Sequence, residues 1–330
     1  MSCGFAIHVK DQILSSNSRD CKSRLTLGFF KKIQMKKYFF FLALSALSTI
    51  SFAQSAVQNL FVQDSLKLIS SQFKFTEGAS VDKQGNVFFT DQPNDKIWKY
   101  GIDGKLSLYM DKSGRANGTY FDKKGNLIVC ADENNQIWSI DKNKKIKVLF
   151  SDYEGKKVNG PNDIWLDAKG GIYFTDPYYQ RDYWTRKSPE IQGQKVYYLP
   201  KGKKEAIIVT DDIIKPNGIV GTPDGKFLYV ADMSANKTYR YSIGVDAKLT
   251  DRQLFLNQHS DGMTLDSNGN LYVTGKGVNI YRPTGEKIGY IDIPEEWCGN
   301  ICFGGKDKNM LFITASKSLY VIPMNAKGVE

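Results

Sequence analysis

The 330-residue sequence predicts an all-β protein, a six-bladed β-propeller, from three observations. A short unit, a glycine turn followed by an alternating apolar strand, recurs six times between residues 85 and 316. Successive units begin 40, 45, 55, 44 and 40 residues apart, the length of a four-stranded propeller blade. Residues 54–330 contain no long stretch with convincing helical periodicity. A β-sandwich would also be all-β, but it does not explain a repeat of this period.

Each unit is predicted to be a strand because it is rich in β-branched and aromatic residues and follows an Asx/Gly turn. The copies are GNVFFTD (85–91), GNLIVCAD (125–132), GGIYFTD (170–176), GKFLYVAD (225–232), GNLYVTG (269–275) and the degenerate NMLFITAS (309–316). A further strand usually follows, as in KIWKY (96–100) and QIWSI (136–140). Six copies within residues 54–330 correspond to about 46 residues per blade, so this region is predicted to be one propeller domain.

The N-terminus is predicted to be a targeting segment and not part of the fold. Residues 35–53 contain two lysines, a 13-residue mostly apolar stretch and the small-x-small cleavage pattern Ser51-Phe52-Ala53. The apolar stretch is shorter than the roughly 20 residues that span a bilayer. We therefore expect a signal peptide at 35–53, export to the periplasm or the medium, and no membrane span after cleavage. Residues 1–34 are interpreted as an extended leader or as residues upstream of a true start at Met35.

Charge and composition exclude several classes of protein. The whole chain has a net charge of +10, but residues 1–53 carry eight Lys/Arg and two Asp, so the remainder is only +4. That remainder has no cluster of five or more basic residues, so we expect no nucleic-acid partner, and we expect a monomer. Its single histidine, His259, excludes His-rich zinc sites. Its three cysteines are not a disulfide framework: Cys298 and Cys302 either pair or are small buried apolar residues.

Aligning the repeats on their turns places side-chain oxygens at one equivalent position, eight residues earlier. We call these six residues the mouth ring: Glu77, Asn117, Asn162, Asn217, Asp261 and Asn300. Equivalent positions in a propeller lie on a circle, and the start of the innermost strand lies at one mouth of the central channel. Carboxylate and amide oxygens converging there suit one hard divalent cation, with Ca²⁺ the first choice and Mg²⁺ or Mn²⁺ next. Zn²⁺ is disfavoured because the position has no soft ligand, and is expected to bind only in vitro.

A structural explanation of the same pattern stays open at this point. Asn-Gly and Asp-Gly are the commonest turn dipeptides, so any single ring residue is better explained as a turn. Glu is a poor turn residue, and six aligned copies that include Glu77 favour a metal site or a polar substrate site. The 55-residue spacing carries an insertion around residues 176–184. Its aromatic residues form either a wall over the channel mouth or a plug on the blade surface: Tyr178, Tyr179, Tyr183 and Trp184.

Four sequence blocks resemble the senescence marker protein/gluconolactonase/luciferin-regenerating enzyme-like family of six-bladed propellers. The blocks are FTEG (75–78), KVNGPNDIWLD (157–167) with GIYFTDPYY (171–179), KPNGI (215–219) with PDGKFLYVAD (223–232), and SDGMTLD (260–266). The resemblance covers roughly residues 70–322 and is nearest to bacterial gluconolactonases.

The resemblance implies a single cation, usually calcium, bound by Glu77, Asn162, Asn217 and Asp261. It places Asn117 on the substrate side, within the segment Arg115-Ala-Asn-Gly118. We predict that the substrate is contacted by Asn117, Asn162, Arg115, Tyr178 and Tyr179. Gly160 stands where animal members carry an arginine, so the sugar contacts of those members are not transferred. The channel histidine of phosphotriesterase-like members has no counterpart.

These observations predict a hydrolase that opens a sugar lactone such as glucono-1,5-lactone to the aldonic acid. The cation would polarise the lactone carbonyl, and an activated water would attack it. Asp261 is the first candidate for the general base and Glu77 the second, although a carboxylate on a cation is a weak base. Two alternatives remain: a hydrolase of another lactone or a phosphoester, and a non-catalytic binding propeller stabilised by the metal.

Overall fold

The computed structural model describes residues 60–61 and 64–330, so the predicted leader at 1–34 and signal peptide at 35–53 lie outside the described residues. In the described part, 24 strands form six four-stranded antiparallel sheets, with one 3₁₀ turn at Gln92–Asn94. None of its helical segments is long and apolar enough to cross a membrane. The predicted six-bladed propeller is confirmed.

The first five blades each use four consecutive strands, with the innermost strand first. Blade 1 contains β2 (Thr76–Val81), β3 (Val87–Asp91), β4 (Lys96–Tyr100) and β5 (Leu106–Asp111); blade 2 contains β6 (Ala116–Phe121), β7 (Leu127–Ala131), β8 (Gln136–Ile140) and β9 (Ile146–Phe150). Blade 3 contains β10 (Ile164–Leu166), β11 (Ile172–Asp176), β12 (Lys195–Leu199) and β13 (Ile207–Thr210); blade 4 contains β14 (Pro216–Gly221), β15 (Phe227–Asp232), β16 (Lys237–Ile243) and β17 (Leu249–Leu256). Blade 5 contains β18 (Met263–Leu265), β19 (Leu271–Gly275), β20 (Gly277–Tyr281) and β21 (Lys287–Ile291).

Blade 6 closes the circle with strands from both ends of the described chain. β22 (Cys298–Gly304), β23 (Met310–Ala315) and β24 (Ser318–Pro323) pair in order, and β1 (Lys67–Ser70) adds to β24 as the outermost strand. The Thr76 hydroxyl at the start of blade 1 also donates to the Ser318 carbonyl, 2.9 Å away. Ring closure through a shared sheet keeps the first and last blades together without a separate clasp.

The repeated sequence units are the second strand of every blade. Each contributes a large side chain that is fully buried between neighbouring sheets: Phe89, Leu127, Tyr173, Leu228, Leu271 and Leu311. Strands with both faces covered need continuous apolar character, which explains the unbroken β-branched and aromatic runs in these units. The cysteines belong to this interior, since Cys130, Cys298 and Cys302 are all buried and unpaired.

Glycines bring the inner strands unusually close together beside the channel. A Cβ at Gly78 would lie 1.9 Å from the Asn117 carbonyl oxygen, and one at Gly218 would lie 2.3 Å from the carbonyl oxygen of Asp261. No other residue fits at such a distance, so these glycines are required by packing between blades. Each of these glycines directly follows a residue at the channel end of its strand. The close approach therefore brings that residue near the equivalent residue of the next blade.

Candidate functional site at the channel mouth

The mouth-ring residues lie at the channel ends of the inner strands, and all six are buried. In β2, β6, β14 and β22 the pairing with the second strand shifts by one residue at the ring position. In blades 3 and 5 the inner strand begins just after the ring residue. A bulge turns a side chain away from the regular alternation of a strand. The ring residues in β2, β6, β14 and β22 therefore lie in strands and not in the hairpin turns, which occupy the opposite end of the same strands. Asn162 and Asp261 lie just before their strands, and Asp261 is in a bend.

Buried threonines on the second strands hold the irregular backbone in place. The Thr90 hydroxyl donates to the Asn117 carbonyl at 3.1 Å, and the Thr314 hydroxyl both accepts from the Asn300 N–H at 2.8 Å and donates to its carbonyl at 3.0 Å. These bonds satisfy backbone groups that the bulge removes from the sheet ladder. The mouth ring is thus fixed by the fold.

Three buried carboxyl groups lie close enough at the mouth to repel one another. Burial raises the pKa of Asp261 to about 6 and that of Asp163 to about 7. The pKa of Glu77 is raised well above its ordinary value, first by burial and then by the charges of Asp261 and Asp163. Arg181 lowers the pKa of Glu77 and Asp261 but does not offset the burial. Ionisation of these three carboxyl groups is therefore disfavoured in the absence of a further cation.

Asp163 was not predicted as a site residue, although the alignment contained the signal. It follows ring residue Asn162 at a position where blades 1, 2, 4 and 5 have glycine. Its carboxylate accepts N–H bonds from Ile164 at 3.0 Å and Ile219 at 3.2 Å, and also bonds to the Asn300 side chain. Asn300, a ring residue with no predicted role, thus supports the carboxylate cluster.

Asn217 and Asp261 form the best-defined contact of the mouth ring. The Asn217 side chain bonds to Asp261, and its Nδ2 donates to the Tyr179 hydroxyl at 3.3 Å. The Trp297 indole N–H donates to Asp261 Oδ2 at 2.6 Å. Asn217 Oδ1 is buried without a hydrogen-bond partner in the described structure. A buried acceptor left alone costs about 1–3 kcal/mol, so this oxygen is poised for a donor or a cation.

The donor set fits a hard cation, although it is not a cluster of acidic side chains. Among the described residues, no group of three or more His, Cys, Asp or Glu side chains lies close enough to hold a metal ion. Oxygen ligands would have to combine the carboxylates of Glu77 and Asp261 with the amide oxygens of Asn162 and Asn217. The unpartnered Asn217 Oδ1 and the raised pKa values of the buried carboxyls are the two observations that favour such a site among the described residues.

The insertion in blade 3 forms a loop, residues 177–194, beside the mouth. Tyr179 reaches the ring through its bond to Asn217, whereas Trp184 is buried. Tyr178 makes its contacts within the loop: its hydroxyl donates to Gln180 Oε1 at 2.6 Å and its ring lies 6.0 Å from that of Trp184. Both structural interpretations of the insertion thus apply, with Tyr179 as the wall residue and Trp184 as the plug.

Asp132 anchors this loop, a role that separates it from its three equivalents. Asp91, Asp176 and Asp232 each accept two backbone N–H groups from the segment that leads into the inner strand of the same blade. Asp132 Oδ2 instead accepts from side chains, namely Arg181 Nε at 2.8 Å, Gln92 Nε2 at 3.2 Å and the Tyr183 hydroxyl. Its carbonyl accepts the Trp184 indole N–H at 3.0 Å.

Arg115 joins blade 2 to the same loop. Its guanidinium lies 4.3 Å from the centre of the Tyr183 ring, and Nη1 donates to the Pro93 carbonyl at 2.9 Å. Its backbone has a φ of +49° and is fixed by a 2.6 Å bond from its N–H to Asp95 Oδ1. The predicted substrate residues Arg115, Asn117 and Tyr179 therefore lie at the mouth, and their contacts with a substrate stay a prediction.

The fold and the channel mouth define a six-bladed propeller with a polar site of buried carboxylates and amide oxygens beside an inserted aromatic loop. The family model for the SMP-30/gluconolactonase/LRE-like region matches residues 75–317, and the chain belongs to this family. The predicted resemblance is confirmed.

Similar proteins include named lactone hydrolases. A gluconolactonase from Zymomonas mobilis is 29% identical over 292 residues, covering 79% of this chain and 81% of that one. A lactonase from Staphylococcus epidermidis is 27% identical, covering 73% and 76%. The structure of a gluconolactonase from Xanthomonas campestris superposes with a TM-score of 0.76 at 25% identity, covering 82% and 92%. The chain is accordingly a hydrolase of the lactonase type.

Proposed function

We propose that the protein hydrolyses a sugar lactone such as glucono-1,5-lactone to its aldonic acid, with one divalent cation, Ca²⁺ first, at the channel mouth. The name and identity of the Zymomonas relative support the substrate class. The observation that carries the site is the buried, unpartnered Asn217 Oδ1 beside carboxyl groups of raised pKa. A sugar lactone has a polarisable carbonyl and several hydroxyls, which suit a polar site of this kind.

The proposed ligands are Glu77, Asn162, Asn217 and Asp261. When bound, the cation would act as a Lewis acid towards the lactone carbonyl. Asp261 would accept a proton from the attacking water, and Glu77 is the second candidate, although a carboxylate that also binds the cation is a weak base. The water oxygen bonds to the carbonyl carbon, the ring C–O bond breaks, and the released alkoxide takes up the proton.

Trp297 and Tyr179 shape the proposed site from opposite sides. Trp297 holds Asp261 Oδ2, so the orientation of the base is fixed before substrate arrives. Tyr179 lies next to Asn217 and would line the substrate site with its ring and hydroxyl. Asn117, Asn162 and Arg115 are the proposed partners of the substrate oxygens. The signal-peptide pattern at 35–53 supports the further proposal that the enzyme acts in the periplasm or the medium.

The test is turnover of glucono-1,5-lactone with Ca²⁺ present, after chelation, and after Ca²⁺ is restored. We expect hydrolysis that is lost on chelation and recovered on addition of the metal. A folded protein that binds Ca²⁺ but turns over no lactone would point to a phosphoester substrate or a binding propeller. Hydrolysis that survives complete chelation would overturn the role of the cation and leave the lactonase proposal standing.

A further inference from the structure

The residues two positions before the mouth ring form a second circle on its solvent side. We call this circle the collar: Phe75, Arg115, Gly160, Lys215, His259 and Cys298. Two of its members, Arg115 and Lys215, are cationic. Gly160 has no side chain, and Trp184 fills that place, lying 3.0 Å from where a Cβ would stand. The inserted loop that brings Trp184 also brings a third cation, Arg181, to the mouth.

Lys215 is a cation of the mouth that forms no ion pair with a carboxylate in the described part of the chain. Its Nζ lies 4.1 Å from the centre of the Tyr179 ring, and the Arg181 guanidinium lies 5.6 Å from the same ring. Arg181 is paired with Asp132 at 2.8 Å and Arg115 faces Glu133 at 3.8 Å. No Asp or Glu oxygen among the described residues lies within 4.0 Å of Lys215 Nζ.

The position of Lys215 relative to the ring is suited to a group at the far end of a substrate. Tyr179, which it covers, bonds through its hydroxyl to Asn217. Lys215 lies two residues before Asn217 of the mouth ring, and two residues of extended chain span about 7 Å. This length is comparable to that of a sugar ring with one substituent. Since Arg181 is paired with Asp132 and Lys215 has no carboxylate of the described residues within 4.0 Å, an anion at this place would meet the positive charge of Lys215.

We propose that the collar selects a lactone that carries an anionic substituent, a carboxylate, sulfonate or phosphate, with Lys215 as the specificity-determining residue. This inference rests on the proposed lactonase function and specifies its substrate class. The lactone carbonyl would lie at the mouth ring, and the anion would lie outward against the Lys215 ammonium. Neutral lactones would be hydrolysed by the same machinery without this contact.

The test compares glucono-1,5-lactone with 6-phosphoglucono-1,5-lactone on the full chain. We expect kcat/KM to be at least about tenfold higher for the phosphorylated lactone, and Lys215→Gln to remove about tenfold of it, a loss of about 1.4 kcal/mol. Neutral turnover should stay within about twofold, Lys215→Arg should retain the preference, and Lys142→Gln on an exposed hairpin is the matched control. Glucaro-1,4-lactone in the same assay separates recognition of any anion from recognition of phosphate.

A binding measurement separates this proposal from the lactonase proposal. Calorimetry with 6-phosphogluconate needs no turnover, and we expect Lys215→Gln to weaken its binding about tenfold. If neither lactone is hydrolysed but this Lys215-dependent binding is found, the collar stands and the lactonase function fails. Equal kcat/KM for both lactones, or binding and turnover of the anion that Lys215→Gln leaves unchanged, would overturn the collar.

Discussion

The two ends of the inner strands carry the same residue types, Asp and Asn, but differ in how completely these side chains are hydrogen-bonded. At the turn end, Asp82, Asp122 and Asp266 each accept two backbone N–H groups and one Asn side-chain amide, all at 2.7–2.9 Å. At the mouth, burial raises the pKa of Asp261, and burial together with the charges of Asp261 and Asp163 raises that of Glu77. Asn217 Oδ1 has no hydrogen-bond partner among the described residues. The difference between a turn and a site therefore lies in unused acceptor capacity, and not in residue type.

This contrast also separates stability from function along one strand. The turn carboxylates are fully hydrogen-bonded, so they hold the hairpins and have nothing left for a ligand. The mouth carboxyls oppose folding when ionised: a pKa moved from 3.8 to about 6 corresponds to about 3 kcal/mol for Asp261 alone. A cation that binds the ionised carboxylates would remove part of this unfavourable energy, and its binding would be strengthened by that amount.

The comparison is tested most strongly by the same substitution at both ends of blade 5. Asp261→Asn removes the proposed base and ligand, so kcat/KM for glucono-1,5-lactone should fall about 10²–10³-fold. Its urea-unfolding free energy should fall by less than about 1 kcal/mol, because a disfavoured buried charge is removed with it. Asp266→Asn breaks satisfied bonds, including one from the Tyr272 hydroxyl at 3.1 Å, and should cost about 2–3 kcal/mol. Activity per folded molecule should then stay within about threefold of wild type.

The comparison fails if the variant at one end has the effect expected of the variant at the other end. An active Asp261→Asn protein would remove that carboxylate from the mechanism. A folded but inactive Asp266→Asn protein would show that the turn end is not merely structural.

Removal of the cation should change stability in a pH-dependent way. Without metal, the pKa values of Asp261 and Asp163 in the folded state, about 6 and about 7, exceed that of an unfolded Asp. Their contribution to stability is fully present below about pH 4 and is lost as the pH rises through 6 and 7. A bound cation offsets this loss, so the Tm difference between Ca²⁺ and chelator should grow from pH 5 to pH 8. At 100-fold excess over Kd the cation would stabilise by about 2.7 kcal/mol.

Thermal melts at pH 5, 6.5 and 8, with Ca²⁺ and with chelator, measure this effect. Asp261→Asn is the matched control, since it should reduce both the Ca²⁺ stabilisation and its pH dependence. A Tm difference that is constant with pH would contradict the assignment of the buried carboxyls to a cation site.

The sequence was sufficient for the architecture and for most of the mouth because both repeat. Phe89 and its five equivalents were recognisable as strand residues, and aligned turns were enough to locate Glu77 and Asp261 on one circle. Asp163 was within reach, as an Asp where four other blades have glycine. Equivalent positions in the repeats lie at equivalent places in the blades, so a residue that follows the repeat can be located from the sequence alone.

Contacts between non-equivalent positions could not be found in that way. Trp297 lies 36 residues from Asp261, and Arg181 lies 49 residues from Asp132, at positions with no counterpart in other blades. Asp132 occupies the same repeat position as Asp91 but does not accept backbone N–H groups from the segment before its inner strand. In blade 2 the Arg115 N–H of that segment donates to Asp95 instead. The inserted loop carries Arg181, and the connection between β21 and β22 carries Trp297. No period in the sequence encodes the paths of these connections.

Asp132 refines the comparison between the mouth and the turns. It is a carboxylate near the mouth, but it is fully hydrogen-bonded, as the turn carboxylates are. Asp132→Asn should weaken its bonds to Arg181 and Tyr183 and release the loop, which raises KM for glucono-1,5-lactone about tenfold with kcat within about threefold. Trypsin should then cleave faster after Arg181 or Arg186. The matched variant Asp91→Asn lowers stability by about 1–3 kcal/mol and should leave KM and loop cleavage unchanged. Equal effects of the two variants on KM would show that Asp132 is only another structural aspartate.

The smallest effect is expected from a neutral donor to a mouth carboxylate, the Trp297 indole. Trp297→Phe keeps most of the ring that stacks on His259, 5.6 Å away, but removes the 2.6 Å bond to Asp261 Oδ2. A neutral bond of this kind contributes about 1 kcal/mol, so kcat should fall about three- to fivefold with KM nearly unchanged. Trp98→Phe is the control, since its indole nitrogen is buried without a hydrogen-bond partner and its loss should not change kcat. A loss in kcat as large as that of Asp261→Asn would mean that orientation of the carboxylate, more than its charge, limits the reaction, whereas an unchanged kcat would show that the fold alone holds Asp261 in place.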